Sequence, residues 1–186
     1  GTALMDPLLL GKTVVVYEGP SEASTWPKLI TKYQCTIFIG VPTIYRQIIQ
    51  KTDFSAVDTP SLRHCMCAGE HLSDEMLSAW KQRFSLNIYE AIGMSECSYY
   101  LSQHPSKAIR PGSAGFPQPG HNIALLDENM QAVEDNCEGM LCIGLNDPGL
   151  FLEYWQLPEI TKQSRRQSYF LTGDYARSEE HTSELQ

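Results

Sequence analysis

Short apolar runs separate longer amphipathic stretches along the first half of the chain. Four of these runs are rich in β-branched or apolar residues and have the length of buried strands. They are TVVVY (13–17), TIFIG (36–40), LRHCMCAG (62–69) and LNIYEAIG (86–93). The last run ends at Gly93, where the pattern indicates a tight turn followed by a helix. Strands that alternate with helices predict an α/β fold, with a parallel sheet covered by helices.

Helical periodicity fills the stretches between these runs. Ser21 can cap a first helix, and Pro42 opens a second over TIYRQIIQK (43–51). Ser73 can cap a third, DEMLSAWKQRF (74–84). The residues predicted to share the apolar faces of the first and third helices are Trp26, Leu29, Ile30, Tyr33, Met76, Leu77, Trp80 and Phe84.

The composition changes after Arg110. The stretch 110–120, RPGSAGFPQPG, is dense in glycine and proline, as linkers and loop corners are. NIALL (122–126) and GMLCIG (139–144) then have the texture of short antiparallel strands. We therefore expect a boundary between an α/β lobe over 1–109 and a β-rich subdomain over 110–176. The tail RSEEHTSELQ (177–186) resembles a translated sequencing adapter, and we predict that it is not native.

Charge and cysteine content narrow the classes of function. The 186 residues carry a net charge of −8 with a pI near 5.1, which argues against nucleic acid or an anionic membrane as partner. No apolar run approaches the ~20 residues that span a bilayer, and no secretion signal is visible. The six cysteines form no C-x-x-C pair and favour buried free thiols in a reducing compartment. A zinc site from His64, Cys65 and Cys67 is an alternative with poor spacing.

Three predicted strand ends carry residues suited to ligand binding. These are the segments 40–43 (GVPT), 68–71 (AGEH) and 91–96 (AIGMSE). Ligands of open α/β sheets bind beyond the carboxyl ends of the strands. We therefore expect the three segments to converge on one crevice.

One nucleophile motif and one phosphate-binding motif are incomplete in this sequence. Gly93-Met94-Ser95-Glu96-Cys97 lacks the last glycine of a G-x-S-x-G nucleophile elbow, which disfavours a serine hydrolase. LGKT (10–13) lacks the upstream glycine of a phosphate-binding loop and precedes a predicted strand instead of following one, so it is interpreted as a turn. Two carboxylates remain as candidates. Glu96 suits Mg²⁺, which takes one or two carboxylates together with phosphate oxygens, and Asp174 in LTGDYA suits ribose hydroxyls.

Taken together and in order, the motifs resemble the acyl-adenylate-forming (AMP-binding) superfamily over residues 1 to about 176. That superfamily includes acyl- and aryl-CoA synthetases, peptide-synthetase adenylation domains and luciferases. The segments that carry the resemblance are GVPTIYRQI, CAGEHL, YEAIGMSE, GSAGFPQPG, EGMLCIG with YWQLPEIT, and YFLTGD. The fold implied is the second half of the large domain, a parallel-sheet lobe with flanking helices plus part of a small distorted β-barrel.

The resemblance implies a role for each matching residue. Glu96 would bind Mg²⁺ that bridges the ATP phosphates, and Ser95 would bond phosphate in place of the usual threonine. Asp174 would bind the ribose, and Glu90 would lie near the adenine amine. The other implied nucleotide-binding residues are Gly69, Glu70, His71, Ala91, Ile92, Gly93 and Met94. The implied acid pocket is lined by Thr2, Gly40, Met66, Ala68, Ala91 and Tyr99.

The implied function is that of an AMP-forming carboxylic acid–CoA ligase, with ATP, Mg²⁺ and coenzyme A as cofactor or co-substrates. The linker and Ile92 favour small-acid or aryl-CoA ligases of fatty or aromatic acid metabolism. Alternatives are a peptide-synthetase adenylation domain and a nucleotide-binding homologue without ligase activity. We expect a cytoplasmic protein whose partners are small molecules only. Assembly into a homo-oligomer is left open. The phosphate loop and the C-terminal lysine domain would lie outside this chain, which alone should be inactive.

Overall fold

The described part of the computed structural model consists of residues 5–53, 59–69, 72–110 and 112–179. The backbone divides into two compact units, Gly1–Glu90 and Ala91–Gln186. The boundary that composition predicts near residue 110 concerns the organisation of the parent domain and stays a prediction. No helix in the described ranges is long and apolar enough to cross a membrane.

The first unit contains helices and parallel strands. Its elements are α1 (Met5–Leu9), α2 (Thr25–Tyr33), β1 (Ile37–Gly40), α3 (Pro42–Lys51), β2 (His64–Ala68), α4 (Asp74–Phe84) and most of β3 (Ile88–Ile92). β1 and β2 pair in parallel, with Gly40 opposite Cys67, so the carboxyl ends of both strands lie at one edge. This confirms the predicted strands 36–40 and 62–69 and the meeting of their ends.

Aromatic packing forms the core of the first unit. Trp80 is fully buried, and its ring lies 4.7 Å from that of Tyr45 and 4.1 Å from that of Phe84. The apolar face predicted for the third helix is confirmed, because Met76 and Trp80 are buried and Leu77 and Phe84 pack against the same cluster. Ser73 is the N-cap residue of α4, but its side chain makes no capping hydrogen bond there.

Two predictions for the first unit are wrong. TVVVY (13–17) forms no strand, and its Val16 is 74% exposed, because no strand in the described residues pairs with it. High β-propensity produces a strand only where a partner takes up the backbone hydrogen bonds. The first long helix starts after Ser24, not Ser21. Pro27, which lacks an amide hydrogen, is tolerated in its first turn, and this position fixes the start.

The second unit is built mainly from antiparallel strands. After the end of β3 come β4 (Leu101–Ser102), β5 (Phe116–Pro117), β6 (Ile123–Leu126), β7 (Glu138–Gly144), α5 (Pro158–Gln163), β8 (Arg165–Arg166) and β9 (Tyr169–Arg177). One sheet has the order β1-β2-β3-β4-β5 and is mixed, and the other is β6-β7-β9-β8. The α/β fold with a partial, curled barrel sheet is confirmed.

The segment after β3 differs from its prediction. Residues 93–100 form bends and a single bridge, and β4 follows where a helix was expected. Tyr100 and Leu101 are completely buried, and Leu101 pairs with Ile92 in antiparallel fashion. Two adjacent buried apolar residues beside an open strand edge favour a strand over a helix with a single apolar face. A strand–turn–strand unit also removes the context of a serine nucleophile elbow.

Candidate functional site

The turn after β3, residues 93–98, is tightly closed. The amide of Met94 donates to the carbonyl of Cys97 at 2.9 Å. A Cβ atom at Gly93 would lie 2.3 Å from the backbone nitrogen of Tyr99, so only glycine fits. Tyr99 itself has a φ of 35°, in the left-handed region. The turn leaves the side chain of Ser95 exposed and that of Glu96 half-buried.

A second loop, residues 150–154, holds this turn in place. Cys97 and Leu150 form an antiparallel bridge, and the amide of Phe151 donates to the carbonyl of Glu96 at 2.7 Å. The hydroxyl of Tyr154 donates to Oε1 of Glu96 at 2.6 Å. This hydrogen bond, with partial burial and the nearby carboxylate, raises the pKa of Tyr154, so the phenol remains a donor. Hydrogen bonds therefore hold both the backbone carbonyl and the side-chain carboxylate of Glu96.

Tyr154 is positioned by its own neighbours. Its amide donates to the hydroxyl of Thr161 at 2.9 Å, and its ring centroid lies 4.7 Å from that of Phe151. The guanidinium of Arg165 lies over the Phe151 ring, 5.5 Å from its centroid. Sequence reasoning missed Tyr154 as a partner of Glu96. It lies in YWQLPEIT, a segment of the resemblance to which no role was attached, and 58 positions separate the two residues.

Thr172, Gly173 and Asp174 form a bulge in β9. Cys142 pairs with Leu171 and Met140 with Tyr175, so three residues of β9 face Leu141 alone. The Thr172 hydroxyl donates to the Leu141 carbonyl at 2.7 Å and accepts the Asp174 amide at 3.1 Å. Gly173 has a φ of +83°, which a glycine adopts freely. The bulge displays the Asp174 side chain to solvent.

Tyr100 lies close to both the turn and the bulge. It is fully buried, and its hydroxyl has no hydrogen-bond partner among the residues that the structure describes. Burial, and then the charges of Asp174 and Cys97, raise its pKa. The Tyr100 hydroxyl is therefore within electrostatic reach of the Asp174 carboxylate.

The remaining predicted nucleotide residues are placed as follows. Ala91 is buried, and Ile92 and Met94 are half-buried against the core of the second unit. In the first unit, Glu90 is 8% exposed, and its Oε1 accepts the Leu72 amide at 2.9 Å, which anchors the start of α4. Gly69 follows β2 with a φ of +100°. Glu70 and His71 lie outside the described residues.

The predicted acid-pocket residues fall in both units. Gly40 and Met66 lie on β1 and β2, where Ile39 is opposite Met66, and Ala68 ends β2. The hydroxyl of Tyr45 donates to the Met66 carbonyl at 2.8 Å, which ties α3 to this edge. Tyr99 and Ala91 belong to the second unit, and Thr2 lies outside the described residues. The pocket itself stays a prediction.

The cysteines are free, and four of them are buried. The prediction of buried free thiols is confirmed for these four. The zinc alternative at His64, Cys65 and Cys67 is wrong. Cys65 and Cys67 are buried on one face of β2, whereas His64 lies on the opposite face and stacks on Tyr89 at 5.0 Å.

The mixed sheet with its flanking helices and the curled second sheet match the fold of the N-terminal domain of acyl-CoA ligases. The model of the AMP-binding enzyme family matches residues 1–155. The chain therefore belongs to the AMP-binding enzyme family.

Individual relatives agree with this assignment. The chain is 31% identical over 170 residues to an uncharacterized acyl–CoA ligase of Bacillus subtilis, covering 91% of this chain and 32% of that protein. It is 30% identical over 177 residues to a mitochondrial acyl-coenzyme A synthetase of Mus musculus, covering 93% and 30%. The crystal structure of an anthranilate CoA ligase in complex with anthranoyl-AMP superposes with a TM-score of 0.87 at 29% identity, covering 98% and 35%. The chain thus spans about a third of the length of the relatives it matches.

Proposed function

We propose that this chain is part of an AMP-forming carboxylic acid–CoA ligase that acts on a small aliphatic or aromatic acid. The observation that carries the proposal is the Glu96 carboxylate, held by Tyr154 on a turn that also exposes the Ser95 hydroxyl. The family assignment and the names of the relatives, which include acyl-CoA and anthranilate CoA ligases, support it. We also propose a cytoplasmic location, from the acidic composition and the free thiols.

The Glu96 side chain fits a magnesium ligand. Mg²⁺ binds through one or two carboxylates and keeps positions for phosphate oxygens and water. Tyr154 occupies only one lone pair of Oε1, and the half-buried carboxylate keeps the rest available. When bound, Mg²⁺ would neutralise charge on the ATP phosphates.

The residues of this chain would then position the reactants. The Ser95 hydroxyl would donate to a phosphate oxygen, and Asp174, displayed by its bulge, would accept from the ribose hydroxyls. The substrate carboxylate attacks the α-phosphorus and pyrophosphate leaves, giving the acyl-AMP. The thiol of coenzyme A next attacks the acyl carbon and AMP leaves. None of these steps needs a covalent nucleophile on the protein, so Ser95 serves as a donor.

Pyrophosphate release by the full-length parent protein tests the proposal. We expect release only with the cognate acid, ATP and Mg²⁺, and Glu96→Gln should remove most turnover without changing the fold. Glu159→Gln, at an exposed glutamate in the first turn of α5, is the matched control and should retain parental turnover. Parental turnover in Glu96→Gln would show that the metal role is wrong. Turnover by the 186-residue chain alone would contradict the prediction that essential parts lie outside it.

Tyr154→Phe tests the orientation of Glu96 separately. The hydrogen bond links a phenol to a charged acceptor at a half-buried site, and such bonds contribute about 1.5 kcal/mol. We expect about a 10-fold rise in the Mg²⁺ concentration needed for half-maximal turnover, with the KM for coenzyme A unchanged. An unchanged Mg²⁺ dependence would mean that Tyr154 does not position the ligand.

A further inference from the structure

Three donors of different chemical type meet in the second unit. They are Sγ of Cys97, Nδ1 of His121 and the carboxylate of Asp147, all within 4.8 Å of one another. Sγ lies 3.8 Å from Nδ1, and Nδ1 lies 3.1 and 3.0 Å from the two carboxylate oxygens. The side chain of Asp147 is fully buried and that of His121 is 17% exposed.

The fold brings these residues together from three segments. The bridge to Leu150 places Cys97, and the turn after β7 places Asp147, whose amide donates to the Gly144 carbonyl at 2.9 Å. The amide of His121 donates to the Gln118 carbonyl at 3.1 Å, just before β6. The arrangement is thus fixed by backbone contacts and does not depend on the side chains alone.

A cysteine nucleophile does not explain the cluster. In a catalytic relay, the thiol and the carboxylate face opposite nitrogens of the imidazole, whereas here both face Nδ1. The three donors instead point toward one another.

We propose that Cys97, His121 and Asp147 bind a divalent transition-metal ion of the zinc class, with water in the fourth position. Zinc bonds of about 2.0–2.3 Å in a tetrahedron put ligand atoms about 3.3–3.5 Å apart. The separations from Nδ1, 3.0 and 3.1 Å to the carboxylate oxygens and 3.8 Å to Sγ, bracket that spacing, and the sulfur and the carboxylate lie within 4.8 Å of each other. A thiolate, an imidazole and one carboxylate suit Zn²⁺ and not Mg²⁺, which prefers oxygen ligands alone.

The shell around the donors supports this site. The two carboxylate oxygens of Asp147 each accept one backbone amide, Oδ2 from Asn122 and Oδ1 from Gly149, both at 2.8 Å. An ionised carboxylate offers about four lone-pair positions, so the two that face the imidazole stay available. Outer hydrogen bonds of this kind orient the carboxylates that bind metals. The side chain of His121 is partly exposed, so the cluster reaches the solvent at this residue.

Binding would follow a simple proton balance. The thiol of Cys97 loses its proton to solvent as the metal–sulfur bond forms, and the imidazole binds through Nδ1 with its proton on Nε2. The bound ion would link the turn 93–98 to the segments around β6 and β7.

Cobalt titration of the chain tests the site. Cys137 is exposed and could bind metal adventitiously, so the background is Cys137→Ser. In this background we expect one equivalent of Co²⁺ to give a sulfur-to-cobalt charge-transfer band, which Zn²⁺ displaces and excess Mg²⁺ does not. The added Cys97→Ser change should abolish the band, and Asp147→Asn should weaken binding at least 10-fold.

Thermal unfolding provides an independent readout. Zn²⁺ at 100 times its Kd should stabilise the Cys137→Ser protein by mass action and leave Cys97→Ser/Cys137→Ser unchanged. If Cys97→Ser does not fold, His121→Gln provides the same comparison, because that ring is partly exposed. Absence of the band in the Cys137→Ser background, or an equal band without Cys97, would overturn the proposal.

Discussion

Gly93 closes the turn that carries Ser95 and Glu96, and Gly93→Ala should open it. The added Cβ would lie 2.3 Å from the backbone nitrogen and 2.9 Å from the Cα of Tyr99, whereas ordinary contacts are 3.4–4 Å. Backbone must therefore move by about 1 Å on one side of the turn. Overpacking costs typically 1–3 kcal/mol, and we expect the upper end, about 3 kcal/mol, because no flexible side chain can yield.

A matched variant separates this clash from the general effect of adding a methyl group. At Gly144 the added Cβ would lie 2.2 Å from Nδ2 of Asn122, a side-chain amide that can rotate away. Only the exposed hydrogen bond between Asn122 and Asn146 is lost. Gly144→Ala should therefore cost about 1 kcal/mol, although its nominal contact is the shorter of the two.

Amide exchange at Met94 measures the effect where it occurs. This amide is bonded to the Cys97 carbonyl at 2.9 Å across the turn. A local cost of about 3 kcal/mol corresponds to roughly 100-fold faster exchange by local opening. Gly144→Ala should leave this amide unchanged. Equal exchange rates at Met94 in the two variants would refute the steric argument for Gly93.

Three further predictions concern stability. Hydrogen bonds from the amides of Asn122 and Gly149 and from His121 hold the pKa of Asp147 below its ordinary value although burial raises it. The stabilisation from the Asp147 carboxylate is complete above the pKa of the unfolded chain, about 4, and is lost as the pH falls through the lower pKa of the folded protein. Asp147→Asn should therefore flatten the acid dependence of the free energy of unfolding, measured in urea. Trp80→Ala should destabilise the first unit by about 3–5 kcal/mol in urea unfolding, since that ring is fully buried. Val16→Ser should change stability by less than about 0.5 kcal/mol, and a larger loss would show that this exposed segment is packed in solution.

The sequence patterns predicted correctly those elements in which one face is buried and the other is exposed. In α4, the spacing of Met76 and Trp80 on one face matched the buried side of the helix. The parallel pairing of β1 with β2 followed from apolar runs separated by a helix. The run 13–17 failed because its propensity is local, whereas a strand depends on a partner elsewhere in space.

The candidate site was predictable only in part. Glu96 and Asp174 were predicted as ligands because carboxylates at strand ends and turns suggest ligands, and the roles that the family resemblance implies for them stay predictions. The contact between Tyr154 and Glu96 was not predicted, because it joins two loops that are distant in sequence. The cluster of Cys97, His121 and Asp147 has no spacing signature for the same reason, and its members were passed over for the adjacent Cys65 and Cys67.

The bulge in β9 has a consequence for how this strand can change length. Three residues stand opposite Leu141, and the pairs on either side, Cys142 with Leu171 and Met140 with Tyr175, are in register. Removal of one residue would leave two residues opposite Leu141, which is the usual count of a bulge, and removal of two would leave a regular ladder. A change of length here should therefore be absorbed by the bulge, so the turn that displays Asp174 can be shortened without changing the strand pairing on either side of it.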